Sequence, residues 1–201
     1  MLTAAQLRDQ VASTRATPGG GSVSIVVAVL AVASIQKAVS VSLKKSAADL
    51  ARHENLSYLS AQASALLVSL GEFADADSLA FERYLEAELL PHVTESEKVV
   101  RRRAREAGLV LATEIPLEAA AEMVRGLELA EAAAALVDQQ VRSEALAGGV
   151  LLRASIEAVL FSVDANLGGI SDTTLRQALR MRRDELARSL ALPVRAVVSR
   201  S

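Results

Sequence analysis

From Val23 to Ala33 every position except Ser24 is apolar, and no charge interrupts the run until Lys37. A helix with that pattern is apolar on all sides and has to be surrounded by others. It is expected to run from about Ser22 to about Ala51, turning amphipathic in its second half, where Lys44 and Lys45 enter. Other segments carry the i, i+4 spacing of helices packed on one side. Thr3 with Gln6 three residues later is a capping box, and Leu7 with Val11 forms a stripe ending near Ser13. His53-Glu54-Asn55 reads as a turn, followed by a long helix from Leu56 to Leu89 that Gly71 can bend and Pro91 stops. Thr94 and Glu97 make a second capping box, and Pro116 at a first-turn position predicts a new, alanine-rich helix through about Asp138. Ser143 is the expected cap of a sixth helix that closes at Leu167 on Gly168-Gly169. Ser171 or Asp172 opens a seventh, which ends near Pro193. The pattern predicts an all-α fold, an up-and-down bundle of about seven helices.

Composition narrows this further. The 201 residues are 51% hydrophobic but only 2% aromatic, so alanine, leucine and valine supply the apolar mass. That suits closely packed helices rather than a β-sandwich, and the length suits a single domain over residues 1–201. The net charge of −2 offers no general attraction to nucleic acid or to an anionic membrane. The Val23–Ile35 run, interrupted by Gln36 and Lys37, is shorter than the roughly 20 residues of a membrane span, so a buried core helix is expected. The absence of cysteine removes disulfides and thiol chemistry. Met1 to Val11 lacks the order of a signal peptide, which predicts a cytoplasmic protein. His53 and His92, the two histidines, have no spaced partners, so no metal site is expected. No Gly-x-Ser-x-Gly elbow is present.

The candidate chemistry begins at Thr17-Pro18-Gly19-Gly20-Gly21-Ser22, immediately before the apolar helix. Two readings stand. In one it is a connector with Ser22 as N-cap. In the other, glycines at φ > 0 let a ligand touch the backbone, and the helix N-terminus faces an anionic or carbonyl-bearing group. On the second reading a side chain at Gly20 blocks the ligand. The arginines of 101–105 and 176–183 read as solvated faces.

The order of motifs resembles the cyclodeaminase/cyclohydrolase family, which includes the deaminase half of formiminotransferase-cyclodeaminase. The carriers are the TPGGGS stretch, Ser42 to Lys45, Asp77-Ser78-Leu79-Ala80-Phe81, Leu90-Pro91, Glu97-Lys98 leading into Arg101, and Ile115-Pro116-Leu117. The chain departs from the family's pattern at Val137-Asp138, at Ser143-Glu144 and at Ser162-Val163-Asp164-Ala165-Asn166, which keeps one of two amides. The resemblance implies a tetrahydrofolate derivative as substrate and a homodimer or higher homo-oligomer with sites near subunit contacts. A methenyl bridge is cationic, and its hydrolysis needs a carboxylate nearby and a base for water. Asp77, on one helix face with Phe81, is the first candidate for catalysis, and Glu144 is its rival. For substrate binding the candidates are Thr17, Pro18, Gly19, Gly20, Gly21, Ser22, Lys45, Asp138, Ser162 and Asn166. Lys45 reads equally as a surface lysine, Asp77 as an ordinary helical aspartate, and the row Ser155, Ser162, Asn166 as a packing seam or a ligand-reading edge. The expected activity is methenyltetrahydrofolate cyclohydrolase or formiminotetrahydrofolate cyclodeaminase. The alternatives are a non-catalytic assembly protein, or a relative acting on another pterin one-carbon carrier.

Overall fold

A computed structural model describes residues 3–190, and these form six α-helices: α1 (Ala4–Val11), α2 (Gly20–Leu43), α3 (Leu50–Glu88), α4 (Glu95–Leu136), α5 (Arg142–Leu167) and α6 (Thr173–Ser189). Pro193 lies outside the described residues. Both capping boxes are formed, Thr3 with Gln6 and Thr94 with Glu97, and the Asp172 carboxylate caps α6.

Helices α2 to α5 run alternately up and down. Side-chain contacts join Ser22 to Asp77 and Gln36 to Ser64 between α2 and α3. Arg101 to Glu88 and Arg52 to the Leu136 carbonyl join α3 and α4. In each pair the residue numbers rise on one helix as they fall on the other. α2 is the central element, with Ile25, Ala28, Ala31, Val32, Ile35, Ala38 and Val39 fully buried. α5 crosses it closely at Gly148, where a Cβ would sit 2.5 Å from the Ile35 side chain and 2.8 Å from the Ala31 carbonyl. Small residues there substitute for the missing aromatics by letting backbones approach.

Several expectations are corrected. The proposed fourth and fifth helices are one, because α4 passes through Pro116 without ending. The turn after α2 comes at Lys44–Asp49 rather than at His53–Asn55, since the Asp49 carboxylate accepts the Arg52 N–H at 3.1 Å and starts α3 there; α3 continues unbroken through Gly71. α2 begins at Gly20, with Gly19 rather than Ser22 as N-cap, and α5 begins at Arg142 after a 3-10 turn over Gln139–Val141, without a side-chain cap from Ser143. Finally, no described residue has positive φ. Gly20 and Gly21 are helical, and the loop's freedom to turn left-handed is unused.

The helix that carries the apolar run ends at Leu43 rather than near Ala51, yet it is longer than the run alone and reaches the length of a membrane span. α2 and the Gln139–Leu167 segment are both long and apolar enough to cross a membrane, yet half of α2's apolar window is buried inside the bundle. The arginines of α6 are less solvated than expected: Arg182 meets Glu118 of α4 at 2.7 Å, and Arg183 meets Asp164 of α5 at 2.6 Å. Arg101 and Arg105 likewise converge on Glu88.

Candidate active site

Asp77, in the second half of α3, is 9% exposed. Its Oδ2 accepts the Ser22 hydroxyl at 2.6 Å, and that hydroxyl in turn accepts the Ser78 hydroxyl at 2.9 Å. Gly19 offers α2 no capping side chain, so the carboxylate from α3 takes that place at the helix N-terminus, accepting the Ser22 backbone N–H as well. Burial pushes the Asp77 carboxyl above the ordinary 3.8, while the bonds from the Ser22 hydroxyl and backbone N–H oppose the shift without cancelling it.

Gly21 makes the meeting of three helices possible. A Cβ built on it would lie 2.9 Å from Oδ2 of Asp77 and 3.3 Å from Oγ of Ser162 on α5. A Cβ on Gly20 meets nothing within 4 Å, because that residue faces open space. The space is a cavity of about 310 Å³ lined by Ala16, Thr17, Gly19, Gly20, Gly21, Ser22, Asp77, Phe81, Ala112, Ser162, Ala165 and Asn166. The Thr17–Pro18 peptide bond is cis, and Thr17 Oγ1 donates to Glu82 Oε1 at 2.8 Å, tying the loop to α3. Phe81, one turn beyond Asp77, forms an apolar wall backed by Tyr84 at 5.9 Å between ring centroids. Among the described residues, Asp77 is the only ionisable side chain that lines the cavity. A wider groove of about 680 Å³ lies between α3 and α4, but its cation Arg125 is paired with Glu122 at 3.1 Å.

The sequence candidates therefore divide. Thr17, the three glycines, Ser22, Asp77, Ser162 and Asn166 come together, with Pro18 in the same loop. Lys45 and Asp138 do not join them. They pair with each other at 3.4 Å near the opposite end of α2, about 35 Å away at 1.5 Å per helical residue. Asp138 also binds Arg52 at 2.6 Å, and its backbone N–H donates to Ser42 Oγ; the Arg52 bond foremost, against some desolvation, holds its carboxyl below 3.8. Glu144 lies at a third place, bound to Lys37 at 2.7 Å and Ser34 at 2.9 Å. Those bonds, led by Lys37, hold it below 4.5. Ser155 is buried in the bundle, whereas Ser162 and Asn166 border the cavity, so the polar row on α5 is seam at one end and cavity lining at the other. Ser78, Glu82 and Ala112 escaped the sequence reading. Ser78 stands inside the Asp77–Phe81 motif, and Ala112 is four residues before Pro116, the spacing at which a proline leaves a carbonyl unpaired.

A family model described as Formiminotransferase-cyclodeaminase matches residues 3–185. The chain belongs to that family. Formimidoyltransferase-cyclodeaminase of Sus scrofa is 35% identical over 145 residues, covering 69% of this chain, and the match spans 25% of that larger protein's length. The crystal structure of formiminotetrahydrofolate cyclodeaminase from Thermotoga maritima superposes with a TM-score of 0.84 over 98% of this chain and 93% of its own, at 22% identity. The fold is thus shared across the whole bundle. Among the described residues no three His, Cys, Asp or Glu side chains stand close enough together to hold a metal ion.

Proposed function

We propose that this chain acts on a folate one-carbon unit, opening or closing a C–N bond at the carbon bridging N5 and N10, with Asp77 as general acid and base. The observation that carries the reading is a buried carboxyl of raised pKa that is, among the described residues, the one ionisable group lining a cavity with an apolar wall. Such a group can both take up and give back a proton at the reacting atoms. In the hydrolytic reaction a water adds to the cationic methenyl carbon as Asp77 takes one of its protons; that proton then passes to the nitrogen whose bond to carbon breaks, and the remaining hydroxyl proton is released to solvent as the formyl carbonyl forms. In the deaminating reaction N10 attacks the carbon of the protonated formimino group, the N10 proton passes to Asp77, and the carboxyl delivers it to the amino group, which leaves as ammonia while the cationic methenyl bridge forms. The ionised carboxylate would also face the cationic bridge, with no competing cation among the described lining residues. Names of the relatives support the substrate class: the Thermotoga protein is a formiminotetrahydrofolate cyclodeaminase.

The capping bond from Asp77 to Ser22 favours a second reading, in which the carboxylate is purely structural and the bundle is an assembly protein. The experiment uses purified protein with 5,10-methenyltetrahydrofolate, followed by loss of its absorbance, and with 5-formiminotetrahydrofolate, followed by ammonia release. Turnover of one identifies the reaction. Turnover of neither, with no binding of either compound, leaves the structural reading.

A second copy of the chain is proposed to cover the apolar face formed by α2 and α5. Leu30 is 62% exposed, Val150 59% and Phe161 73%, and Phe161 adjoins Ser162 at the cavity.

A further inference from the structure

Pro116 stands near the middle of α4. It has no N–H to close on the carbonyl four residues earlier, which belongs to Ala112. Across the helix interface, Asn166 Nδ2 donates to that carbonyl at 2.8 Å, a contact between residues 54 apart in sequence. Ala112 and Asn166 both border the cavity. A carboxamide set against a carbonyl can take only one orientation, because turning Oδ1 towards it would oppose two acceptors. The flip that an unrestrained asparagine makes freely is therefore barred.

We propose that Pro116 is a positioning residue of this cavity: by withholding its N–H it turns the Ala112 carbonyl over to Asn166, and so fixes the order in which a ligand meets acceptor and donor there. The ligand favoured is one whose edge places an N–H donor against Asn166 Oδ1. On the folate reading of the site, on which this last step rests, that edge is the amine-and-lactam edge of a reduced pterin. The contact is more than a repair of α4. A residue with an N–H at 116 would repair the helix by itself, so a proline answered by an asparagine on another helix makes sense where the asparagine's orientation matters.

The test compares the parent with Pro116→Ala, Pro116→Val (which keeps more of the bulk while restoring the N–H), Asn166→Ala and the Pro116→Ala/Asn166→Ala double variant. Tetrahydrofolate affinity is measured by calorimetry, and folding by thermal denaturation. Restoring the N–H is expected to weaken tetrahydrofolate binding roughly three- to tenfold, the range of one misdirected hydrogen bond, with thermal stability unchanged or raised. In the Asn166→Ala background the same change should add nothing, since one residue acts through the other. Additive losses, or unaltered affinity in the variant that folds, overturn the proposal. A second readout needs no ligand. In selectively labelled protein, one Asn166 amide hydrogen should exchange slowly with solvent in the parent and faster once residue 116 carries an N–H; equal rates overturn the clamp. A parent that fails to bind tetrahydrofolate overturns the folate reading instead, and the exchange rates still decide the clamp.

Discussion

The proton on Asp77 is subject to opposed influences, burial favouring the neutral acid and the N-terminus of α2 favouring the carboxylate. Burial prevails, so the folded carboxyl titrates above 3.8. Between that ordinary value and the raised one, the fold keeps a proton that an unfolded chain has released. Asp77's contribution to stability is consequently greatest below the ordinary value and falls as pH rises through the window. The acid limb of kcat/KM is expected above the ordinary aspartate value of 3.8 and should vanish in Asp77→Asn, as read from a pH series. That variant should lose on the order of 10² to 10⁴ in turnover, with ligand affinity within about tenfold. Asp75→Asn, at an exposed position two residues away, should change little. The two helical glycines offer a sharper comparison. Gly21→Ala drives a Cβ against Asp77 and Ser162 and should impair both turnover and thermal stability, whereas Gly20→Ala faces open space and should leave stability unchanged. Gly20→Val puts a branched side chain at the cavity and should block ligand binding there by occupancy rather than by backbone strain, since φ at that residue is not positive.

Among the elements, α2 separates three polar clusters along its length. Its beginning holds Asp77, its middle pairs Ser34 and Lys37 with Glu144, and its end pairs Ser42 and Lys45 with Asp138. Glu144→Gln removes a surface ion pair about 18 Å along α2 from Ser22, so turnover is expected to stay within a fewfold of the parent; a loss as large as that of Asp77→Asn would transfer the catalytic role. Asp138 titrates below its ordinary value, and its sign is the reverse of Asp77's. Its bond to Arg52 stabilises the fold above pH 3.8 and is lost as pH falls through the lowered value. Asp138→Asn should therefore reduce thermal stability at neutral pH and narrow the difference from the parent in acid, with the bridge-carbon chemistry retained.

For the whole molecule, the exposed faces of α2 and α5 lie side by side, because Ser34 touches Glu144 and Gly21 approaches Ser162 in an antiparallel pair. Leu30 and Val150 belong to that outer surface. An apolar area of this kind is what a two-fold partner would cover. Sedimentation at micromolar concentration should find a dimer, and Leu30→Glu with Val150→Glu should shift it to monomer while leaving the helical circular-dichroism signal intact. A parent that sediments as a monomer would remove the dimer from the proposal.

Local chemistry made the helices legible before any coordinates. Periodicity, two capping boxes, Asp172 and the Gly168–Gly169 ending all act within a turn or so of the residues that carry them, and each appears in the fold. Asp77, the glycine stretch, Ser162 and Asn166 were legible as motifs, and they surround one cavity. What distance along the chain conceals was decided by packing. A proline marks a helix start unless some other element satisfies the carbonyl it frees, and here Asn166, 54 residues from Ala112, does so. Glycines suggest a left-handed loop until a helix begins on them, which Asp77 allows by capping α2 from α3. Lys45 and Asp138 stand apart from this cavity because a straight helix at 1.5 Å per residue carries Lys45 to the far end of the bundle, where Asp138 meets it. The hydrophobic pattern determined that helices would pack; the satisfaction of buried polar groups across their interfaces determined which of them would share a site.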